Sequence, residues 1–128
     1  MKEFITTNLR GIDILTSLFV AEAFSKNHNH ICRTIRELSC SDKFRASNFV
    51  LSFYISAQGK KMPMFEMTKD GFSMLPMRFI GQKEAFFIEL IFKEFNDREE
   101  LLMDDDYIIR RAKEILDRRM EILKQSLK

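Results

Sequence analysis

The strongest constraint on this chain is a pair of short amphipathic helical patterns separated by only three polar residues. Apolar residues recur at helical spacing through Val20 and Phe24 in the first pattern. In the second pattern Ile31 and Ile35 lie four residues apart, as one face of a helix requires. Residues 25–27 between them are long enough only for a tight turn. The sequence therefore predicts two helices that cross closely and share an apolar core.

A β-hairpin is predicted directly after this helix pair. Residues 49–55 are rich in aromatic and β-branched side chains and alternate with a period of two. Gly59 lies in the polar turn that follows, and residues 62–67 form the returning strand. Pro63 has no backbone N–H, so it places that strand at a sheet edge or at its own start. A further short strand is predicted at residues 12–15, before the first helix.

The second half of the chain is predicted to be helical. Thr68 is the N-cap of a short helix that Pro76 interrupts or ends, and Gly81 is the next break. Residues 85–95 form a strongly apolar helix, and the carboxylates that begin at Asp104 cap a last helix. The fold class is therefore α+β.

In detail, we expect a winged-helix-like helix-turn-helix with a β-hairpin, followed by C-terminal helices. Residues 1–80 would form the helix-turn-helix domain, and residues 81–128 a helical segment used for packing or dimerisation. Apolar residues make up 45% of the chain, which is too many for a disordered tail.

Two features of composition bear on the compartment. Cys32 and Cys40 form no CxxC pair and have no histidine at zinc-finger spacing, which is typical of reduced thiols in the cytosol. No N-terminal apolar stretch is long enough for a signal peptide, and no run approaches the roughly 20 apolar residues of a membrane span. We therefore expect a cytoplasmic protein without a membrane segment.

The charge of the chain is unevenly distributed. Residues 1–83 carry 12 Lys and Arg against 7 Asp and Glu, a surplus of +5. Residues 84–128 carry 9 against 12, which gives −3. A polyanion such as double-stranded DNA is therefore expected to bind the first part of the chain.

The outward face of the second predicted helix carries the residue types that read DNA bases. At about 100° per residue, Asn29, Arg33 and Arg36 fall together, opposite the apolar side marked by Ile31 and Ile35. Arginine can pair with guanine O6 and N7, and asparagine with adenine N6 and N7. This pattern predicts a recognition helix for the major groove.

Five neighbouring residues complete the predicted interface. Lys26 and Asn27 in the turn suit phosphate contacts, which fix register rather than sequence. His28 lies in the first helical turn, which enters the major groove in this motif. Lys60 and Lys61 at the hairpin tip can lie on phosphates or reach a minor groove.

Both features also have an ordinary structural interpretation. The arginine-bearing face is equally a solvated helix surface, and the two lysines equally protect an edge strand from aggregation. The pattern of residues alone leaves these alternatives open.

Several stretches resemble the phage regulatory protein Rha family. These are Val20–Lys26, Arg33–Leu38, Gln58–Lys61, Met67–Phe72 and Gly81–Lys83. The resemblance extends over roughly residues 12–103 and is most specific at Gln58–Lys61 and Met67–Phe72. It implies a phage- or prophage-encoded transcriptional regulator in the bacterial cytoplasm, with a winged-helix-like N-terminal domain that binds DNA.

The sequence offers no constellation for catalysis or metal binding. His28 and His30 are two residues apart, so they do not share a helix face. Asp104, Asp105 and Asp106 lack the alternating ligands and the glycine of an EF-hand loop, and helix capping explains them better. We therefore predict neither an enzyme, nor a metal site, nor a cofactor.

The last predicted helix carries an apolar stripe with two possible uses. It could pair two copies into a homodimer, or it could pack back on its own domain. An alternative function also stays open: a protein-interaction module, such as an anti-repressor that binds a host or phage regulator. The stripe comprises Ile108, Ala112, Ile115, Leu116, Met120, Leu123 and Leu127.

Overall fold

Strands and helices are interleaved along the chain in a mixed α+β order, which confirms the expected class. The computed structural model describes residues 4–75 and 82–127. Within them the elements are β1 (Thr6–Thr7), β2 (Asp13–Thr16), α1 (Ser17–Ala23), α2 (His28–Arg36), α3 (Asp42–Asn48), β3 (Phe49–Ile55), β4 (Lys61–Met67), α4 (Lys69–Ser73), α5 (Gln82–Leu101) and α6 (Asp105–Ser126). The expected breaks at Pro76 and Gly81 lie outside the described residues.

The strands form one antiparallel sheet in the order β1-β2-β4-β3. β3 and β4 pair along their whole lengths, as the predicted hairpin requires. β2 reaches β4 only where Leu15 lies opposite Met67 and Thr16 opposite Glu66. At Pro63, β4 therefore has β3 on one side and no paired strand on the other. The missing N–H of that proline falls on an edge, as predicted.

The turn between α1 and α2 is a Schellman motif. The N–H of Lys26 donates to the carbonyl of Ala21 at 2.9 Å, and that of Ser25 donates to Glu22 at 3.3 Å. Ser25 has φ +52°, the left-handed conformation that such a turn needs at this position. The turn reverses the chain within a few residues and brings α2 against α1.

Side-chain oxygens begin most of the helices. Thr16 is the N-cap of α1, and Thr68 and Asp104 are the N-caps of α4 and α6, as predicted for these two. Ser41 is the N-cap of α3, a helix that the apolar pattern does not predict. The two-residue strand β1 was also not expected.

The core lies between the sheet and the helices. α5 contributes Ile91 and Phe95 to the same buried cluster as residues from the first half of the chain. The two-part division at residue 80 stays a prediction, because that position is not among the described residues. Other members of the cluster include Leu15, Val20, Phe24, Ile31, Ile35, Phe49, Met67 and Phe72.

One side of α6 packs on the loop between β1 and β2. Arg118 donates to the carbonyl of Thr7 at 2.8 Å, and Arg119 donates through Nε to that of Leu9 at 2.7 Å. Ile115 of the predicted stripe lies beside Gly11, since a Cβ at Gly11 would be 3.4 Å from its Cδ1 atom, so this part of the stripe packs within its own chain. No described helix combines the length and the apolar character needed to cross a bilayer.

Candidate nucleic-acid interface

α2 keeps the predicted recognition residues on its accessible side. Asn29, Arg33 and Arg36 are exposed, whereas Ile31 and Ile35 are fully buried against the rest of the fold. The helix therefore presents three hydrogen-bonding side chains within an arc of about 60°, given about 100° of rotation per residue. The ion pairs that the structure describes do not include Arg33 or Arg36.

Arg36 links α2 to the hairpin. Its guanidinium carbon lies 5.7 Å from the ring centroid of Phe65 on β4. A guanidinium stacked on an aromatic face keeps its N–H donors at the edge, where they can bind an anion or a base. Arg36 is thus oriented at the junction between α2 and β4.

The C-terminal end of α2 is held by Arg45 from α3. Its Nη2 donates to the carbonyl of Leu38 at 2.6 Å, and its Nη1 donates to that of Ile35. A cation at a helix C-terminus can donate to carbonyls that lack partners and interacts favourably with the negative end of the helix dipole. Arg45 is therefore a positioning residue for α2.

The N-terminal end of α2 is held by its own cap. The Oδ1 atom of Asn27 accepts from the backbone N–H of Asn29 at 2.8 Å and of His30 at 3.4 Å. Asn27 was predicted as a phosphate contact, and the structure engages its oxygen in starting the helix. Lys26 next to it is exposed.

His28 connects α2 to α1. Its Nε2 lies 2.9 Å from Oγ of Ser17 and 3.5 Å from Sγ of Cys32. Ser17 and Cys32 are buried, and Oγ of Ser17 also accepts from the N–H of Phe65 at 2.9 Å. With the ring proton on Nδ1, the Ser17 hydroxyl donates to Nε2. One hydroxyl then satisfies groups from two elements.

His28 also contacts the hairpin. The ring of Tyr54 on β3 meets it edge-to-face, with centroids 5.7 Å apart and planes at 78°. Burial lowers the pKa of His28, because desolvation disfavours the imidazolium. This histidine, predicted as a DNA contact, is half-buried and engaged with the fold on two sides.

The hairpin tip carries two lysines, Lys60 in the turn and Lys61 at the start of β4. The N–H of Ser56 donates to the carbonyl of Lys60 at 2.8 Å, and Gly59 adopts φ +79° to close the turn. Lys60 is exposed at the tip. The Nζ atom of Lys61 lies 4.5 Å from the ring centroid of Phe53, so this ammonium rests on the hairpin's own aromatic surface.

The predicted site residues thus fall into two groups. Asn29, Arg33 and Lys60 extend from the surface, whereas Asn27 and His28 also hold α2 in place. Sequence reasoning missed the residues that orient the helix, because each of them acts through a contact with another helix or strand that no apolar periodicity marks. These residues are Ser17, Arg45, Tyr54 and Phe65.

Metal binding finds no support in the described residues. Within 4–75 and 82–127, His, Cys, Asp and Glu side chains nowhere gather in a group of three that could hold a metal ion.

A comparison with known protein families identifies the family of this chain. Residues 15–100 match the family described as phage regulatory protein Rha, and this span is more than half of the 128 residues. The chain belongs to the Rha family. The match includes α1, α2 and the whole hairpin, so all eight predicted DNA contacts lie in the part that defines this family.

Two curated proteins are similar to this chain. A Haemophilus influenzae protein described as uncharacterized is 32% identical over 110 residues, which are 83% of this chain and 63% of the relative. An uncharacterized 22.8 kDa protein from the gp15–gp3 intergenic region of Salmonella phage P22 is 32% identical over 95 residues. That alignment includes 72% of this chain and 47% of the phage protein. The Rha chain thus spans about half to two thirds of these relatives, and no solved structure matches it.

Proposed function

We propose that this Rha-family chain is a phage- or prophage-type transcriptional regulator that binds double-stranded DNA through a winged helix-turn-helix. In this proposal α2 enters the major groove, and the β3–β4 hairpin is the wing. The observation that carries it is the shared exposed face of Asn29, Arg33 and Arg36 on a helix fixed at both ends. A recognition helix needs such rigidity, because base readout depends on the placement of individual donors.

The residues divide between base and backbone contacts. Asn29 and Arg33 are the base-reading residues, since their side chains can form paired hydrogen bonds with adenine and guanine edges. Arg36, at the junction with Phe65, suits either a base or a phosphate. Lys26 and Lys60 contact phosphates, which supply affinity for any sequence.

A dimer would double the DNA contacts. The face of α6 away from the β1–β2 loop exposes Leu116, Met120, Leu123 and Leu127, at steps of four, three and four. This is the spacing of a coiled-coil seam. Consider two copies of α6 that run antiparallel, with Met120 of one copy opposite Leu123 of the other. Asp117, which flanks the seam, then lies close to Lys124 of the other copy, and their charges are opposite. We infer that a second copy of this chain covers the seam.

Selection of bound duplexes from a random DNA pool tests the proposal directly. We expect enrichment of a sequence whose affinity exceeds that of scrambled DNA by about 10³-fold or more at physiological salt. Two half-sites should appear about 10 base pairs apart, or at a multiple of that spacing, if the chain binds as a two-fold dimer. A pool that stays random would overturn sequence-specific binding.

A second candidate function has one observation in its favour. The hairpin exposes an apolar row on one face, formed by Leu51, Phe53 and Ile55. A wing of this kind could bind a regulator protein, as an anti-repressor does. Three results together would favour this candidate. The chain captures one defined regulator protein, Phe53→Ser abolishes that capture, and the DNA pool stays random in the selection experiment.

A further inference from the structure

A cavity lined by four arginines lies on the side of the molecule where α6 meets β1. Its volume is about 330 Å³, within the range of small-molecule sites. It lies at the β1 end of the sheet, whereas the hairpin tip projects from the β3–β4 end. The lining includes Arg98, Arg110, Arg111 and Arg118, together with the hydroxyl-bearing Thr7 and Tyr107. We refer to this cavity as the arginine pocket.

The positive charge in the arginine pocket exceeds the negative charge that faces it. Arg98 Nη2 and Arg111 Nη2 both bind the same oxygen of Asp13, at 3.2 and 3.0 Å. These three side chains are only 12–16% exposed. Glu114 at the lining is the other carboxylate. Four guanidiniums and two carboxylates leave a surplus of about +2, which is unfavourable beside a partly buried surface unless an anion compensates it.

One buried donor at this site has no partner among the described residues. The Nη1 atom of Arg111 is buried and makes no hydrogen bond there, although Nη2 of the same group donates to the carbonyl of Gly11 at 2.5 Å. A buried donor without a partner is unfavourable, and more so when it belongs to a charged group. Arg111 therefore has donor capacity that acceptors of the described residues do not use.

We propose that the arginine pocket binds a phosphate-bearing ligand. Guanidinium forks match phosphate oxygens with paired hydrogen bonds, and the +2 surplus matches a phosphate dianion. The bound group would join α5, α6 and β1, because arginines from both helices and Thr7 from β1 line the cavity. The source of the phosphate is either a small phosphorylated molecule or the backbone of DNA. The pocket does not depend on the recognition helix.

Calorimetric titration of the intact chain with pyrophosphate tests this site. Saturable binding is expected in a phosphate-free buffer, compared with sodium chloride at equal ionic strength. Arg110→Gln should weaken binding about tenfold, the effect of one lost charged contact. This side chain is exposed and its guanidinium lies over the ring of Tyr107 on the same helix, so the variant should fold. Lys113→Gln removes the same charge from an exposed position on α6 outside the pocket and should bind like the parent.

The outcomes separate this proposal from DNA recognition by α2. Displacement of pyrophosphate by a short duplex would identify the DNA backbone as the source, and the absence of displacement would identify a small ligand. Arg33→Ala should leave pyrophosphate binding unchanged in either case. No saturable binding by the parent, or an equal loss in Arg110→Gln and Lys113→Gln, would overturn the site.

Discussion

The imidazole Nε2 of His28 lies 2.9 Å from the hydroxyl oxygen of Ser17, at the point where α1, α2 and β4 meet. The same oxygen accepts the N–H of Phe65, which lies beyond the end of the β2–β4 pairing. The buried Ser17 hydroxyl thus takes the place of a neighbouring strand for β4 and also binds His28 in the first turn of α2. The orientation of α2 relative to the hairpin depends on this contact and on the His28–Tyr54 contact.

Acidification should weaken the fold through His28. Burial lowers the pKa of this histidine below the usual value of 6.5, so the unfolded chain binds the proton more readily than the folded one. The contribution to stability is therefore complete above pH 6.5 and falls as the pH drops through the folded-state pKa. Thermal melts between pH 8 and pH 5 should show a decrease in Tm that is smaller in His28→Gln.

His30 provides the matched control for this measurement. It is the only other histidine of the chain and is exposed on the same helix. His30→Gln should keep the pH dependence of the parent. If the Tm of His28→Gln and the Tm of the parent fall equally between pH 8 and pH 5, protonation of His28 does not cause the loss of stability.

Arg33→Ala should reduce sequence discrimination rather than general DNA binding. Loss of one paired contact to a base is expected to cost about 1–3 kcal/mol on the selected sequence, and much less on scrambled DNA. Fluorescence anisotropy titrations on both duplexes measure the ratio. Lys113→Ala, an exposed charge on α6, is the control. An equal loss on the two duplexes would assign Arg33 to the phosphate backbone.

Helix starts and turns that depend on the properties of a single residue could be predicted from the sequence. Thr68 and Asp104 cap helices wherever they are placed, and Gly59 closes the hairpin because it tolerates φ +79°. The alternation of residues 49–55 identified β3, although Leu51, Phe53 and Ile55 on its apolar face are exposed and Phe49 alone on that face is buried. In each of these cases a residue and its neighbours contain the physical cause.

The sequence pattern did not predict features that depend on contacts between different elements. α3 has one bulky apolar residue, Phe44, and no apolar stripe, so its pattern resembles a loop. The helix forms because Ser41 caps it and Arg45 binds the end of α2. The arginine pocket is similar, since Asp13 and Arg98 are 85 residues apart. The pattern of α6 was found, but which part packs within the chain depends on contacts such as Arg118 with Thr7.

Lys60→Ala should lower DNA affinity for all sequences and reduce the salt dependence. A lysine that neutralises one phosphate releases a counterion, so its removal changes the slope of log K against log salt by about 0.9. Titrations at several salt concentrations measure this slope. Lys60→Arg keeps the charge and should keep the parent slope. If Lys60→Ala has the same slope of log K against log salt as the parent, the hairpin tip does not contact the phosphates.

Leu123→Glu should convert the proposed dimer to a monomer. Leu123 is 59% exposed in the single chain, so the substitution does not disturb the monomer core. In a paired seam it would bury a carboxylate, which is strongly unfavourable without a partner. Sedimentation equilibrium measures the mass, and far-UV circular dichroism checks that α6 remains helical. Gln125→Glu, an exposed position away from the seam, should stay dimeric. A parent that sediments as a monomer would contradict the proposed pairing.

Gly71→Ala should destabilise the protein although Gly71 lies in a helix. A Cβ at this position would lie 2.7 Å from the backbone carbonyl oxygen of Asn48 and 3.2 Å from the ring of Phe49. Backbone cannot move aside as a flexible side chain does, so we expect a loss of about 1–3 kcal/mol in the free energy of unfolding. Alanine normally stabilises a helix relative to glycine by up to about 1 kcal/mol, so the expected sign is opposite to the helix propensity.

Urea denaturation compares this variant with Gly59→Ala. A Cβ on Gly59 has no atom within 4 Å, and its only cost is the positive φ of +79°, about 1–2 kcal/mol. The Gly59 variant should therefore lose stability without disturbing α4, whereas Gly71→Ala should also weaken the contact of α4 with α3. Near Asn48 that contact includes the bond from the Thr68 hydroxyl to Oδ1 at 2.6 Å. Removing it by Thr68→Val in the Gly71→Ala background should cost less than in the parent, because the two changes disrupt one shared contact. Additive losses would mean that α4 adjusts to the new methyl group without leaving Asn48.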